Sequence, residues 1–594
     1  MTPALDTFFR YRRPAELDGR ADGHHPVIVV GSGPIGLTMA LDWVQRGHDV
    51  LVLAAGDSLS EGSRAICFAK RTLEICDRLG FGDALVDKGV SWNVGKVFRK
   101  NALLYEFNLL PEPGHERPAF VNLQQYYFEH FALKRLARCR ENYSSTSDLP
   151  DAAGTARRPP TLGTPPAHGA VDLRFNNRVT AVHQRNGIVE LSVECPDGAY
   201  TLTCDWLIAC DGASSPVRKM LGLSSAGQVF RDRFLIADVK ILNNSASLRN
   251  ERWFWFDPPF HRNQSALLHR QADDVWRLDF QLGWEADPEL ETQPEHVLPR
   301  IRAMLGEGVE FSLEWVSVYT FQCRRMQRFV HDHVIFAGDA AHQVSPFGAR
   351  GANSGIQDVD NLGWKLDLVV RGSAPESLLA TYSEERVAAA DENILNSTRS
   401  TDFITPKTDI SRTFRDATLE LAAKYPFARK LVNSGRLSVP THYGQSSLNT
   451  PDVDQWPAST SMCRPGSPAP DAPIIASGQP DWLLRQLGAH FTAAVFCADA
   501  ALPEDVVANL MQVIAGVDCV TILVSRMPIS VPSAVVALVD SDGIAFSRYA
   551  PGGNAIYIVR PDQHIIARRI GFSLDWIADA IGTARMTRPS TKQS

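Results

Sequence analysis

Two hydrophobic periods share this chain. "HHPVIVVG", ending at Gly31, is an apolar run closed by glycine, the mark of a strand buried on both faces. "PIGLTMALDWVQ" carries apolar residues at helical spacing, and "HDVLVL" is a second buried strand. The pattern stops at "SSTSDLPDAAGTARRPPTLGTPPAHGA", residues 144–170, which has no period and is expected to be a flexible surface insertion. Alternation returns in "VDLRFNNRVTAV" and "IVELSVEC", which predict a hairpin. "TLTCDWLIACDGASS" predicts a strand ending in a turn. From about 230 to 321, short aromatic-rich runs predict a sheet. "DHVIFAGDAAHQVSPFGARGANSGIQDVDNLGWKLDLVV" reads as strand, glycine loop and helix, with helical pattern continuing to about 432. A second Pro-rich stretch, "PASTSMCRPGSPAPDAP", precedes "HFTAAVFCA", "VTILVS", "AVVALVDSDG" and "AIYIVRPDQHIIARR", a small α/β unit.

These patterns divide the chain into a polar arm (1–25), a large interleaved unit (26–440), a linker (441–475) and a C-terminal unit (476–590). Within the large unit, nucleotide-binding segments at about 26–100, 120–225 and 322–400 enclose a sheet at about 226–321. A hydrophobic fraction of 44% in 594 residues allows large cores. The net charge of −7 argues against a nucleic-acid surface. No apolar run approaches the roughly 18–20 residues that span a bilayer, and the N-terminus is too polar for a signal peptide. The ten cysteines include no CxxC pair and no zinc spacing. A cytoplasmic protein without a metal site, a membrane partner or a nucleic-acid partner is expected.

Chemistry concentrates in three glycine-rich turns. Gly31, Gly33 and Gly36, with Pro34 at the helix start, form GxGxxG between a strand and a helix. The first glycine permits the tight turn, the second admits a diphosphate, and the third lets helix and strand pack. The diphosphate would lie over free N–H groups at the helix N-terminus. The second turn is "CDGASSPVR", with Asp211, Gly212 and Arg218. The third is "GDAAHQVSPFGARGANSG". There Gly338 and Asp339 close a strand, and a loop through Pro346, Phe347 and Gly348 leads to Gly351, Ala352 and Asn353 at a helix start. Open α/β sheets bind ligands at these strand ends. One feature conflicts with a dinucleotide site: the second strand ends in Ala54 and Ala55, where an acidic residue for the ribose is usual.

Taken together and in this order, the three turns resemble those of the class A flavoprotein aromatic hydroxylases. "SRAICFAKRTLEICDRLG" and "NLQQYYFE" extend the resemblance, with Arg64 as the flavin-side arginine and Gln125 near the flavin. "VSVYTFQCRRMQRF" and "STRSTDFITP" resemble the branch that includes 3-(3-hydroxyphenyl)propionate hydroxylase. The tail resembles the thioredoxin-like domain of phenol-hydroxylase-type members. The resemblance implies an α/β fold: a Rossmann-like, p-hydroxybenzoate hydroxylase-like FAD-binding domain, a mixed β-sheet substrate domain and a C-terminal thioredoxin-like domain. It implies FAD as cofactor, held by Gly31, Gly33, Pro34, Gly36, Arg64, Gln125, Asp211, Gly338, Asp339, Gly351, Ala352 and Asn353. Asp339 would hold the ribityl chain, and the N–H groups of Gly351, Ala352 and Asn353 would face the flavin edge.

NADH or NADPH would be the transient reductant, and a phenolic compound and O2 the partners. Hydroxylation beside an existing hydroxyl would proceed through a flavin C4a-hydroperoxide. The flavin-facing loop Pro346, Phe347 and Gly348 is the candidate for the catalytic region, with no residue assigned to ionise the phenol. Trp253, Trp255, Phe256, Phe260, Tyr319, Phe321 and Pro346 are candidates for the pocket wall, with ordinary sheet core as the alternative for the aromatic residues. Asp57 or Glu61 could replace the missing ribose acid. The C-terminal unit would serve packing or dimer contacts, leaving a homodimer open. The alternatives are a flavin reductase, for which a second strand-linked GxGxxG is missing, a flavin-dependent halogenase, half-matched by "WFWFDP", and a non-enzymatic flavin-binding protein.

Overall fold

In a computed structural model, residues 9–139, 169–243, 250–432, 439–499, 503–515 and 517–587 are described. All of the expected insertion except Gly169 and Ala170 lies outside them. Three large sheets and one small sheet form a mixed α/β architecture.

The first sheet runs Val330–His331, Val334–Phe336, Gly198–Ala209, His24–Val30, Val50–Leu53 and Val171–Arg174, with a hairpin (Arg178–Arg185, Ile188–Cys195) attached to its long strand. From Val334–Phe336 to Val171–Arg174 the strands are parallel. This accounts for the continuous apolar runs: Val27, Ile28 and Val29 are fully buried. It also brings Gly31, Ala54, Asp211 and Gly338 to one sheet edge, because each follows the C-terminal end of a parallel strand. Helices α1 (Pro34–Gln45), α2 (Lys70–Arg78), α3 (Gln125–Cys139), α4 (Gly351–Val370) and α5 (Ala380–Ile404) surround the sheet, and α1 packs on α3 and α4.

The second sheet has the order His342–Gln343, Phe311–Met326, Ser225–Ile241, Val275–Leu282, Ser265–Arg270, Arg252–Phe256, Val94–Arg99 and Ala102–Asn108. It is larger than the expected 226–321. Val94–Arg99 enters by parallel pairing with Arg252–Phe256 and brings the strand Ala102–Asn108 with it. That join spans over 150 residues of chain and leaves no local pattern. One face packs Leu235, Val239, Leu268, Trp276 and Phe280 against Val297 and Ile301 of helix Pro294–Leu305. The opposite face carries Phe234, Phe256 and Phe321. A three-stranded sheet, Cys67–Ala69, Phe120–Asn122 and Val90–Trp92, meets it through Trp92, edge-on to His269, and Asn122, which donates to Arg270 O at 2.9 Å.

The C-terminal sheet has seven strands, with Phe491–Cys497, Cys519–Ser525 and Val535–Val539 parallel at its centre. The segment expected to be a linker is packed structure. Tyr443, Leu448, Cys463, Ala469 and Ala472 are buried, and strand Pro473–Ala476 begins within it. Proline keeps this backbone extended and removes donors, while the side chains between the prolines dock. The described part of the arm packs on the body: the Phe9 ring stacks on Phe175 at 4.2 Å, its N–H donates to Asp57 O at 2.6 Å, and Glu16 pairs with Arg174 at 2.9 Å.

Buried charge joins the C-terminal unit to the nucleotide-binding helices. Arg71 on α2 donates to Asp360 on α4, to the Gln563 side chain and to the Asp562 carbonyl, at 2.8–2.9 Å. Arg560 pairs with Glu385 on α5 at 2.6 Å and with Asp562. Each charge is compensated, as burial demands.

Candidate functional site

Gly31 adopts φ 112°, and a Cβ there would lie 2.4 Å from Cys210 O, so the strand end requires glycine. At Gly36 a Cβ would lie 1.9 Å from Gly31 O. Gly33 differs: it is the N-cap of α1, and nothing lies within 4 Å of a Cβ there. Gly31 and Gly36 serve packing within the protein, while Gly33 keeps open the space over the helix N-terminus. Ile35 then forms the hub of the crevice. A Cβ on Gly338 would meet its Cγ1 at 2.8 Å, and one on Gly355 of α4 would meet its Cδ1 at 2.6 Å. The first and third motifs thus touch directly.

Arg218 ties in the second. Its guanidinium donates to Ala340 O at 2.6 Å and to Ala213 O at 2.8 Å. Asp211 accepts from Val217 N at 2.9 Å through one oxygen, and the other is buried without a partner. Burial raises the Asp211 carboxyl, with Ser215 opposing.

Asp339 is accessible to solvent, yet protein around the crevice still raises its carboxyl, with His342 opposing and Asp358 reinforcing the rise. Its side-chain oxygens make no hydrogen bond among the described residues. Behind it, Asp358 accepts from Gly338 N at 2.9 Å and from Arg386 at 2.6 Å, and lies 2.7 Å from His342 Nε2. His342 is buried in this supporting layer. The loop through Pro346 turns at Gly348, φ 108°, and Ala349, φ 52°, into α4. The first-turn N–H groups of Gly351, Ala352 and Asn353 have no acceptor within the helix. The Asn353 side chain is fully engaged, accepting from Ala69 N and Thr72 Oγ1 and donating to Cys67 O.

A pocket of about 370 Å³ continues from Gly33 along Ser32, Ser58, Ser60, Glu61, Arg64 and Gln125. Arg64 is exposed at its rim. Gln125 accepts from Ala65 N at 3.2 Å and donates to Glu129 Oε1 at 2.8 Å, while the other Glu129 oxygen accepts from Ser60 N. Sequence reasoning missed Glu129, although its i,i+4 relation to Gln125 puts both on one face of α3. Ala54 is buried, and its backbone joins Arg174 O and Asn177 N. Glu61 lines the pocket, whereas Asp57 stands beside Asn176 at 3.5 Å, outside the lining.

The aromatic candidates separate by strand alternation. Phe321 meets Phe347 edge-on at 5.7 Å and tilts against Phe234, beside Phe256. Tyr319 shares this face; although it is exposed, the protein around it and then Asp339 raise its hydroxyl. Trp253, Trp255 and Phe260 point to the other face, where Trp255 stacks on Phe98 at 5.2 Å. Pro346 is exposed and Phe347 buried.

The residues fit a flavin dinucleotide: an open helix N-terminus, an accessible carboxylate without a hydrogen bond and a second helix start converge on one crevice. Among the described residues, no group of three His, Cys, Asp or Glu side chains could hold a metal ion, and no helix is long and apolar enough to cross a membrane.

Comparison with known proteins agrees with this geometry. The model of an FAD binding domain matches residues 24–397. A flavin-dependent monooxygenase of Mycobacteroides abscessus is 30% identical over 383 residues, covering 61% of this chain and 71% of the relative. A 3-(3-hydroxy-phenyl)propionate/3-hydroxycinnamic acid hydroxylase of Escherichia coli is 24% identical over 580 residues, 96% of each chain. The flavin-dependent monooxygenase PieE, solved with FAD and substrate, superposes with a TM-score of 0.76 at 19% identity, covering 96% of this chain and 100% of that one.

Proposed function

This chain belongs to the FAD-binding-domain family of flavin-dependent monooxygenases, and from that premise we propose that it uses NADH or NADPH and O2 to hydroxylate a phenolic compound beside its existing hydroxyl. The observation that carries the reading is the meeting of three sequence-distant motifs around Ile35 and Arg218. Bound FAD would supply the redox chemistry, accepting hydride from the nicotinamide and passing electrons to O2.

The chain's own residues divide the remaining work. Gly31–Gly36 and the N-terminus of α1 hold the diphosphate with backbone N–H groups. Arg64 adds positive charge at the pocket rim, and Gln125 lines the same pocket. Asp339 would accept from the ribityl hydroxyls, and Asp211 holds the turn that carries Arg218. The N–H groups of Gly351, Ala352 and Asn353 stabilise negative charge on the flavin edge. Phe347, packed on Phe234 and Phe321, keeps water from the side of the crevice facing the second sheet. The phenol ring sits between that sheet and the Pro346–Gly348 turn.

The halogenase reading loses its motif, because Trp253 and Trp255 face away from the crevice into sheet core. The C-terminal sheet is read as a thioredoxin-like unit without CxxC, with a packing role. The proposal is tested by stopped-flow reduction of the purified flavoprotein with NADH and with NADPH across a panel of phenols. Acceleration by particular phenols, with stoichiometric hydroxylated product, is expected. Reduction indifferent to every phenol, without organic product, would refute it.

A further inference from the structure

The C-terminal stretch "RPDQH", Arg560 to His564, lies outside the crevice, yet Arg560 and Asp562 are fully buried. What this turn holds is Tyr443. The His564 ring stacks on the Tyr443 ring at 4.7 Å, and the Arg560 guanidinium lies 5.6 Å from the centre of the same ring. The Tyr443 backbone is fixed to the same unit. Its N–H donates to Gly466 O at 2.8 Å, and Gly466 N–H donates to Ile565 O at 2.7 Å. Gly466 adopts φ 89°, and a Cβ there would lie 2.5 Å from Tyr443 C and O, so this close approach requires glycine.

From Tyr443 the chain runs along the start of α5. Ser447 N donates to Glu384 at 2.7 Å, Ser446 Oγ donates to Glu385 at 2.5 Å, and Tyr443 Oη accepts from Arg386 Nη1 at 2.7 Å. One short segment thus takes up three consecutive helix residues. The remaining donors of Arg386 reach α4. Nε donates to Asp358 at 2.6 Å, and Nη2 donates to Ser354 O at 3.0 Å and to Ser354 Oγ at 2.8 Å. Asp358 in turn accepts from Gly338 N at 2.9 Å. Arg386 and Asp358 are fully buried. Burial pushes the Tyr443 hydroxyl up to about 12, with Arg386 opposing, so it accepts from the guanidinium as a neutral phenol.

Tyr443, Arg386, Asp358 and the Gly338 N–H therefore form a continuous line of hydrogen bonds. It starts on the C-terminal unit and ends one residue before Asp339. Removing the phenol oxygen leaves a buried guanidinium N–H without that acceptor. The guanidinium then settles on its other partners, Asp358 and Ser354, and Asp358 is the group that holds Gly338.

We propose that Tyr443 is a positioning residue for the flavin. Acting through Arg386 and Asp358, it keeps the Gly338–Asp339 turn in the place that FAD needs. The C-terminal unit is then part of the cofactor site and does more than pack. This goes beyond the proposed hydroxylation: it rests on FAD in this crevice and is independent of the ring that reacts. A turn already in place spares FAD the cost of ordering it. A line of contacts carries such coupling only if a change at one end is felt at the other.

The test compares full-length wild type, Tyr443→Phe and Tyr549→Phe. Tyr549 is the control, because it is equally enclosed and its hydroxyl donates to Pro470 O at 2.5 Å, within the C-terminal unit. Melting of the flavin-stripped proteins measures what each lost bond does to stability alone. FAD is then titrated into the stripped proteins by fluorescence, and the midpoint potential of bound flavin is measured. Y443F should bind FAD roughly five- to twentyfold more weakly than wild type and show a shifted potential. Y549F should stay within about twofold and keep the wild-type potential. Wild-type affinity in Y443F, an unshifted potential in Y443F, or an equal loss in Y549F would overturn the proposal. A loss and shift confined to Y443F, in an enzyme that hydroxylates no phenol, would sustain this inference while refuting the proposed function.

Discussion

Replacing Gly36 and Gly33 separately by alanine distinguishes the two uses of glycine in the first turn. At Gly36 the added methyl lies 1.9 Å from Gly31 O and 2.9 Å from Gly31 C, while real Cβ contacts stay at or above 3.0 Å. The start of α1 must therefore move about 1 Å away from the strand end, against backbone that cannot rotate aside. Overpacking of this kind costs about 1–3 kcal/mol, and the value here belongs at the upper end. At Gly33 the backbone is extended, φ −75° and ψ −176°, and the methyl meets nothing. The flavin-free Gly33→Ala protein should therefore stay within about 0.5 kcal/mol of wild type. Both variants should lose FAD, Gly36→Ala because the turn is displaced and Gly33→Ala because the methyl fills the space left for the diphosphate. The assay is bound flavin per protein after desalting, with thermal unfolding of the stripped proteins. A Gly36→Ala protein with full flavin and unchanged melting would refute the reasoning. So would a stripped Gly33→Ala protein that melts as low as Gly36→Ala.

Asp339→Ala should weaken FAD retention more than Asp57→Ala, because Asp339 lines the crevice without a hydrogen bond while Asp57 stands outside the pocket; equal losses by fluorescence titration would relocate the anchor. Glu61→Gln should weaken FAD more than Asp57→Asn, since Glu61 is the acid of that pocket not already hydrogen-bonded there, and unchanged affinity would remove it from the ribose site. Asp471, buried in the C-terminal unit, is pushed up to about 7 by burial despite accepting from Leu484 N at 3.0 Å. It keeps its proton in the folded state where the unfolded chain has lost it, so its contribution is present below about pH 4 and is lost as pH rises through about 7. Asp471→Asn should therefore gain in melting temperature over wild type between pH 5 and pH 8, and a difference independent of pH would contradict this.

What the sequence made legible follows from whether a signal is local. The runs ending at Val30 and Leu53 were readable because strands buried on both faces are apolar throughout, and the three glycine turns because strand, turn and helix are contiguous. The pairing of Val94–Arg99 with Arg252–Phe256 joins distant strands and carries no local period. The Pro-rich stretch at 457–473 looked like a linker because composition reports backbone preference, whereas its buried Cys463 and Ala472 report contacts made elsewhere. In "WFWF" every position is aromatic, so the sequence could not say which pair faces the crevice; alternation on the formed sheet assigns Phe254 and Phe256 to it. Tyr443 was invisible for a related reason. Nothing about a tyrosine in a polar stretch shows that its hydroxyl meets Arg386 until α5 lies beside it.

The central claim is that this crevice inserts one atom of O2 into a phenolic ring. The most direct measurement is mass analysis of products formed under 18O2 with NADH or NADPH, for a phenol that accelerates flavin reduction and for its deoxy analogue. The account predicts one 18O in the phenol's product, ortho or para to the original hydroxyl, and none in the analogue. Equal labelling of both, or no label in any organic product while the reductant is consumed, would contradict it.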